Sequence, residues 1–358
     1  MKLEEWPFRV ELQPDELLSS FLIRNAHAHG TTPYLFMNYF WPGRALWDRD
    51  CDRSADWEWL CEVSELAGVS TEVLATSTLI PFRQSLGSTS LYGDTSLLLS
   101  ASVYHRTRRR HGLQFCPECL SNHLSWFRRI WRLGFVLYCP EHGIPLMDCC
   151  PACGSPVIPH RSLRLDARYC HQCDSCLHNT MTENSCSERL LDLQKLLLNN
   201  LLTPSTAEHI GPFHGTALFA AIRSLLSVLT VRISYAAIRD AFNLPETAWL
   251  PHDRLQFEHA RWPERFLLLE LLSVWISDWP ASFHLGAEAA GLSQKTFARL
   301  RQPKGLREEI QRLKPGSSRN RRYEPKVFDE ELLRLKRVDR KAYRKLRAKR
   351  LLALALLK

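Results

Sequence analysis

Cys116-Pro-Glu-Cys119, nineteen residues, Cys139-Pro-Glu-His142, then Cys150-Pro-Ala-Cys153 and, sixteen residues on, Cys170-His-Gln-Cys173: the fold is decided in this run. Two donors separated by two residues sit on one knuckle and can face one ion. Zinc accepts a tetrahedral shell of thiolate and imidazole donors, and a shell filled by four side chains is a closed, structural site. The first set offers three thiolates and one imidazole, Cys116, Cys119, Cys139 and His142. The second offers four thiolates, Cys150, Cys153, Cys170 and Cys173, at a familiar zinc spacing. Two structural zinc ions per chain are therefore expected. Within the second set Cys149 can replace Cys150, and the pair Cys173 and Cys176 can replace Cys170 and Cys173; Cys176, Cys186 and His171 are otherwise spare. Ten of the twelve cysteines lie between Cys116 and Cys186, and such tight pairing argues for metal ligation over disulfides. Cys51 and Cys61 stand apart and read as small buried hydrophobes.

A catalytic zinc keeps an open position with an acid or base beside it. None of the fourteen histidines is followed by Glu in H-E or H-x-E, which excludes the helical metalloprotease and nucleobase-deaminase patterns. The chain has no Gly-Lys dipeptide and no G-x-S-x-G elbow, so neither a phosphate-cradling loop nor a serine-hydrolase site is encoded. Paired carboxylates such as Glu308 and Glu309 lie in charged helical contexts and read as solvated faces. The expectation is a protein that is not an enzyme.

Outward from the cysteines the pattern is helical. Leu17, Leu18, Phe21 and Leu22 form one apolar face of a helix that Asp15 is expected to cap and that ends near Gly30. Further helices are expected near Trp57–Leu66 and after Gly68-Val69-Ser70, then over 190–202, 216–229, 234–242 and 263–277. Residues 110–180 show little periodicity and read as too poor in apolar residues for a core without metal. The fold class is thus mainly α and multidomain: an N-terminal helical, helix-turn-helix-like domain (1–108), two tandem zinc-ribbon or knuckle modules (109–186), a C-terminal helical domain with a helix-turn-helix (187–314), and a basic linker with an amphipathic helix (315–358). With 45% hydrophobic and 24% charged residues among 358, the composition is that of a folded chain. No run approaches the roughly 20 apolar residues of a membrane helix, and no signal-peptide core is present, so a cytoplasmic protein is expected.

The formal charge of +9 is concentrated in residues 301–358, which hold 20 basic and 7 acidic side chains. An acidic partner such as nucleic acid follows from this excess. Candidate phosphate contacts are Arg108, Arg109 and Arg110 before the first knuckle, Arg128 and Arg129 between its halves, Lys295 and Arg299 in the helix-turn-helix pattern Leu285 to Arg299, and Arg344, Lys345 and Arg347 in the tail.

Pro14-Asp-Glu16-Leu-Leu-Ser-Ser-Phe21-Leu-Ile-Arg24, Phe115 with the first knuckle, Trp131, Cys139-Pro-Glu-His142-Gly-Ile-Pro-Leu146 and Cys150-Pro-Ala-Cys153-Gly154 together resemble the TniQ/TnsD family of transposition target-selection proteins. Asp278-Trp279-Pro280-Ala-Ser-Phe283 is similar to a segment of its CRISPR-associated members. The resemblance implies a non-catalytic adaptor that links a target complex to an AAA+ ATPase regulator and so enables DNA integration by the transposase. The target complex is a Cascade-type guide-RNA effector on DNA, or attachment-site DNA itself. It also implies a homodimer that joins the nucleoid when bound to its target. The extra thiols Cys149 and Cys176 and the basic tail depart from the family pattern. A zinc-containing, sequence-specific DNA-binding protein or repressor acting without guide RNA is the alternative.

Overall fold

The computed structural model describes residues 5–44, 46–47, 50–88, 95–101, 110–122, 126–179, 186–204, 209–252 and 255–316. They are mainly helical. Backbone ladder pairing among them is confined to isolated bridges, such as Phe115 with Met147 and Tyr138 with Pro145. The chain divides into two compact units, residues 1–315 and 316–358. The second lies outside the described residues apart from Gly316, and with it the amphipathic helix expected there.

The N-terminal part comprises α1 (Leu18–Ala28), α2 (Pro33–Phe40), α3 (Cys51–Ser54), α4 (Trp57–Ala67), α5 (Thr71–Thr76) and α6 (Ile80–Ser85). Local chemistry sets their ends. Asp56 caps α4 by accepting Trp59 N–H at 2.8 Å, and Gly68 closes that helix at φ 68°, a left-handed geometry that glycine adopts without penalty. Ser70 then caps α5. The role expected of Asp15 is corrected. Leu17 is the N-cap of α1 and no side chain caps the helix. Asp15 instead faces Arg128 Nε at 3.3 Å and Arg129 Nε at 3.2 Å. Glu16 organises the helix start, accepting from Gln13 N–H and Ser20 Oγ at 3.0 Å each and from Arg24 Nη1 at 2.7 Å.

The cysteine-rich segment holds α7 (Pro117–Ser121) followed by an irregular strap. The expectation that residues 110–180 lack apolar side chains for a core is corrected. Phe115, Leu120, Phe127, Trp131, Phe135, Val136, Leu137 and Tyr138 are all buried, and the core they join runs from Leu17 to Ile310. The strap is enclosed on several sides, so its apolar residues follow neither helical nor strand spacing.

On the other side stand α8 (Glu188–Leu202), α9 (Gly215–Leu229), α10 (Arg232–Ala241), α11 (Trp262–Trp275), α12 (Ala281–Ala289), α13 (Gln294–Phe297) and α14 (Lys304–Gln311). Helix α11 packs against α8, α9 and α12. No single helix among the described residues is long and apolar enough to cross a membrane.

Beyond the isolated bridges, buried side chains satisfy the strap's backbone among the described residues. Gln194 on α8 accepts Leu137 N–H at 2.8 Å and Tyr138 N–H at 3.0 Å through Oε1, and donates to Tyr138 C=O at 2.9 Å. Gln114 donates to the carbonyls of Trp131 and Val136 at 2.9 and 3.2 Å. Arg265, wholly buried on α11, donates to Gly134 C=O at 2.8 Å and to Gln114 Oε1 at 2.9 Å. Burial pushes its pKa down to about 10, so it stays cationic near neutrality. Arg132 spans the joint with the N-terminal helices, pairing with Asp50 and with Asp52 at 3.2 Å and donating to Leu99 C=O at 2.9 Å. Burial raises the Asp52 carboxyl to about 6 against the opposing pull of Arg132.

Arg132→Ala leaves two buried acids without their cation, and unfolding free energy in a urea titration should fall by about 3–5 kcal/mol. A second test concerns Glu16, which burial raises from 4.5 to about 7. The folded state binds more protons than the unfolded chain across that window, so this group's contribution to stability falls as pH rises from about 4.5 to about 7. Glu16→Gln removes that dependence. The melting-temperature difference between variant and parent should move in favour of the variant from about pH 5 to about pH 7.5, and a pH-independent difference would contradict the assignment.

Candidate metal centres and basic surfaces

The first cluster is assembled by α7 and a tight turn. Cys116 is the N-cap of α7, accepting Cys119 N–H through its sulfur at 3.4 Å, and Pro117 opens the helix without needing a donor. Opposite, Cys139 N–H bonds Ile144 C=O, and Gly143 N–H at φ 68° returns to Cys139 C=O, each at 2.8 Å. His142 Nδ1 then lies 3.5, 3.3 and 3.5 Å from the sulfurs of Cys116, Cys119 and Cys139, and Cys119 Sγ lies 3.6 Å from Cys139 Sγ. A tetrahedral zinc with metal–sulfur bonds near 2.3 Å and metal–nitrogen bonds near 2.0 Å requires sulfur–sulfur edges of about 3.8 Å and sulfur–nitrogen edges of about 3.5 Å. The donors fit the ion.

Two knuckles of the same build make the second cluster. Cys150 N–H bonds Ser155 C=O at 2.8 Å, and Gly154 N–H bonds Cys150 C=O at 2.9 Å. In the second knuckle Cys170 and Asp174 repeat this pattern at 2.9 and 3.0 Å, with Asp174 at φ 63° in the place of Gly154 at φ 70°. The sulfurs approach at 3.6 Å (Cys150 to Cys173) and 3.7 Å (Cys153 to Cys170). All four donors of each cluster lie within 4.8 Å of one another, so either set can hold a metal ion. The alternatives left open by spacing are placed elsewhere: Cys149 bridges Pro156 through its backbone, and Cys176 Sγ contacts His178 Nδ1 at 3.0 Å.

Electrostatics point to a cation. Hydrogen bonds from the Cys116 and Cys119 thiols hold Cys139 far below the usual thiol range, and the corresponding bonds to Cys116 and Cys139, together with burial, drive Cys119 far above it. A divalent cation held among the donors lets all three thiols ionise. The two centres differ in surroundings. Cys116, Cys119 and Cys139 are buried, but Cys153 and Cys173 are exposed beside buried Cys150 and Cys170.

The candidate phosphate contacts scatter. Arg128 pairs with Asp15 and Glu141, while Arg129 pairs with Asp15 and lies over the Phe82 ring at 4.9 Å. Both are about four-fifths buried, at 18% and 17% side-chain exposure. Arg110 is half-buried and donates to Ser100 Oγ at 3.0 Å. Lys295 and Arg299 are exposed. Arg108, Arg109, Arg344, Lys345 and Arg347 lie outside the described residues. Sequence reasoning missed the structural use of Gln114, Gln194, Arg132 and Arg265. A lone amide or arginine in a leucine-rich helix is a weak signal for burial, since these residue types are mostly exposed.

Residues 7–146 match the TniQ family model. The chain carries a TniQ domain. The match spans α1 to the end of the first metal cluster, while the second cluster lies beyond it. None of the curated proteins matches the chain.

Cys116→Ser should lower tightly held zinc from two ions to one per chain, measured by elemental analysis after gel filtration, and lower the melting temperature of the whole unit because its ligands belong to the main core. Cys153→Ser should likewise remove one ion, but with a smaller shift, since that knuckle is exposed at its rim. Unchanged zinc content in either variant would contradict the ligand set.

Proposed function

We propose that this TniQ-like protein is a non-catalytic target-selection adaptor. It joins a target complex to an AAA+ ATPase regulator of transposition and thereby directs DNA integration by the transposase. The observation that carries this reading is the first four-donor cluster, set in the core of the TniQ domain with every donor provided by the chain. Such a closed shell stiffens a scaffold and leaves a metal no position for substrate. Zinc suits both donor sets, and the ions serve folding. The described pattern of internally paired arginines in the domain, Arg128, Arg129 and Arg132, supports a surface built for docking proteins more than for gripping phosphate.

The target complex in this reading is a Cascade-type guide-RNA effector on DNA, with attachment-site DNA as the second form. The adaptor acts as a homodimer, in the cytoplasm and on the nucleoid. Contact with the DNA of either target draws support from the exposed cations Lys295 and Arg299. Zinc-loaded chain should capture the transposon's own ATPase regulator from a purified mixture, and capture should be lost in Cys116→Ser. Failure to capture either the regulator or a target complex, with two zinc ions bound, would overturn the adaptor reading.

A further inference from the structure

The helix-turn-helix pattern read from Leu285 to Arg299 becomes α12, a turn with Gly291 at φ 60°, and α13. Helix α13 is four residues long, about 6 Å by the helical rise. A recognition helix reads bases by laying polar side chains of its opening turns along the major groove. Here the polar side chains Gln294 and Thr296 are engaged within the chain. Both N–H groups of the Gln294 amide are taken, one by Gln311 C=O and one by Leu313 C=O, at 2.9 Å each. Gln294 therefore cannot make the paired donor and acceptor contact by which an amide reads adenine. Thr296 Oγ1 accepts Ser293 N–H at 3.2 Å within a capping box, and Phe297 is buried in the core.

What faces solvent is charge. Lys295 on α13 and Arg299 in the turn after it are exposed, and Lys304, Arg307 and Lys314 are exposed on the neighbouring segment. Gln294 N–H bonds Lys314 C=O at 3.1 Å, which sets Lys295 beside Lys314 at one end of the pair formed by α13 and α14. Between residues 292 and 316 the acids are Glu308 and Glu309, and Glu309 is already engaged by His284 and Arg312. The turn after α13 is fixed, because Arg301 donates to Gly87 C=O at 2.9 Å and its own carbonyl accepts Ser224 Oγ at 2.6 Å.

We infer that the ridge Lys295, Arg299, Lys304 and Lys314 binds duplex DNA through its phosphates and does not read sequence. This deepens the adaptor reading and rests on it: the ridge holds the chain on DNA, while the choice of site enters through the bound target complex.

The test uses full-length, zinc-loaded chain and duplexes of unrelated sequence, each about 30 bp, titrated by fluorescence anisotropy at several salt concentrations. Affinities should agree within about threefold. The double variant Lys295→Glu, Arg299→Glu should weaken binding to every duplex by about tenfold or more and lower the slope of log affinity against log salt by about 2, at about 0.9 per phosphate contact. Lys295→Arg with Arg299→Lys should restore both. Unchanged affinity and slope in the charge-reversed variant would overturn the proposal. So would a duplex preferred more than tenfold whose advantage disappears with Arg299, because a guanidinium can fork onto guanine. If the double variant loses zinc or melts early, the pair Lys304→Glu and Lys314→Glu is judged by the same criteria. Capture of the ATPase regulator is scored separately, so an unmutated chain that captures the regulator but binds no duplex condemns the ridge alone, and one that binds duplex but captures neither regulator nor target complex condemns the adaptor reading alone.

Discussion

A buried peptide group must be hydrogen-bonded, and among the described residues the strap from Trp131 to Asp148 finds backbone ladder partners only at isolated bridges such as Leu98 with Leu133 and Phe115 with Met147. The architecture answers with side chains. Gln114, Gln194, Trp262 and Arg265 each reach a strap carbonyl or N–H at 2.8 to 3.2 Å. Their burial in turn requires partners for what remains of them, which is why Arg265 also bonds Gln114 and the Ala260 carbonyl. Gly134 belongs to the same constraint. A Cβ there would meet Phe257 at 2.8 Å, so the close approach that Arg265 recognises depends on a residue with no side chain.

The first metal cluster works on this strap from its other end. Cys139 follows Tyr138, whose backbone Gln194 binds on both sides, so the ligand turn and the helical core share one rigid segment. The second cluster is tied differently. Its strap carries His160, stacked on Trp47 at 4.7 Å and 9° between planes, so the outer knuckles rest against the N-terminal helices. One cluster is built into the interior and the other bridges two surfaces. Folding and metal loading are accordingly coupled more widely at the first than at the second.

The cysteine spacing made both donor sets legible, because a knuckle is a local device whose geometry follows from a few consecutive residues. Gly143, Gly154 and Asp174 complete it within the same turns. The long helices from Glu188 to Trp275 were legible for a similar reason, as their apolar periodicity exceeds three turns. Asp15 was misread because an acid before an apolar face is the signature of a cap, and nothing local reveals that Arg128 and Arg129, more than a hundred residues away, claim it. The strap was misread because side-chain periodicity reports one buried face, and this segment has several. Gln194 and Arg265 were invisible for the complementary reason: their partners are backbone atoms, which leave no mark in sequence.

The side chains that complete the strap lie far along the chain from the groups they serve. Gln194 is 57 residues from Leu137, Trp262 is 125 residues from the same residue, and Arg265 is 131 residues from Gly134. A cut at the end of the TniQ match would sever every one of these bonds and leave the amides of its last turns bare. The domain recognised by its sequence is therefore not a detachable cassette. Exchange of that portion between related chains has to carry its cognate helices along, or supply equivalent donors and acceptors at matching heights on whatever helices receive it.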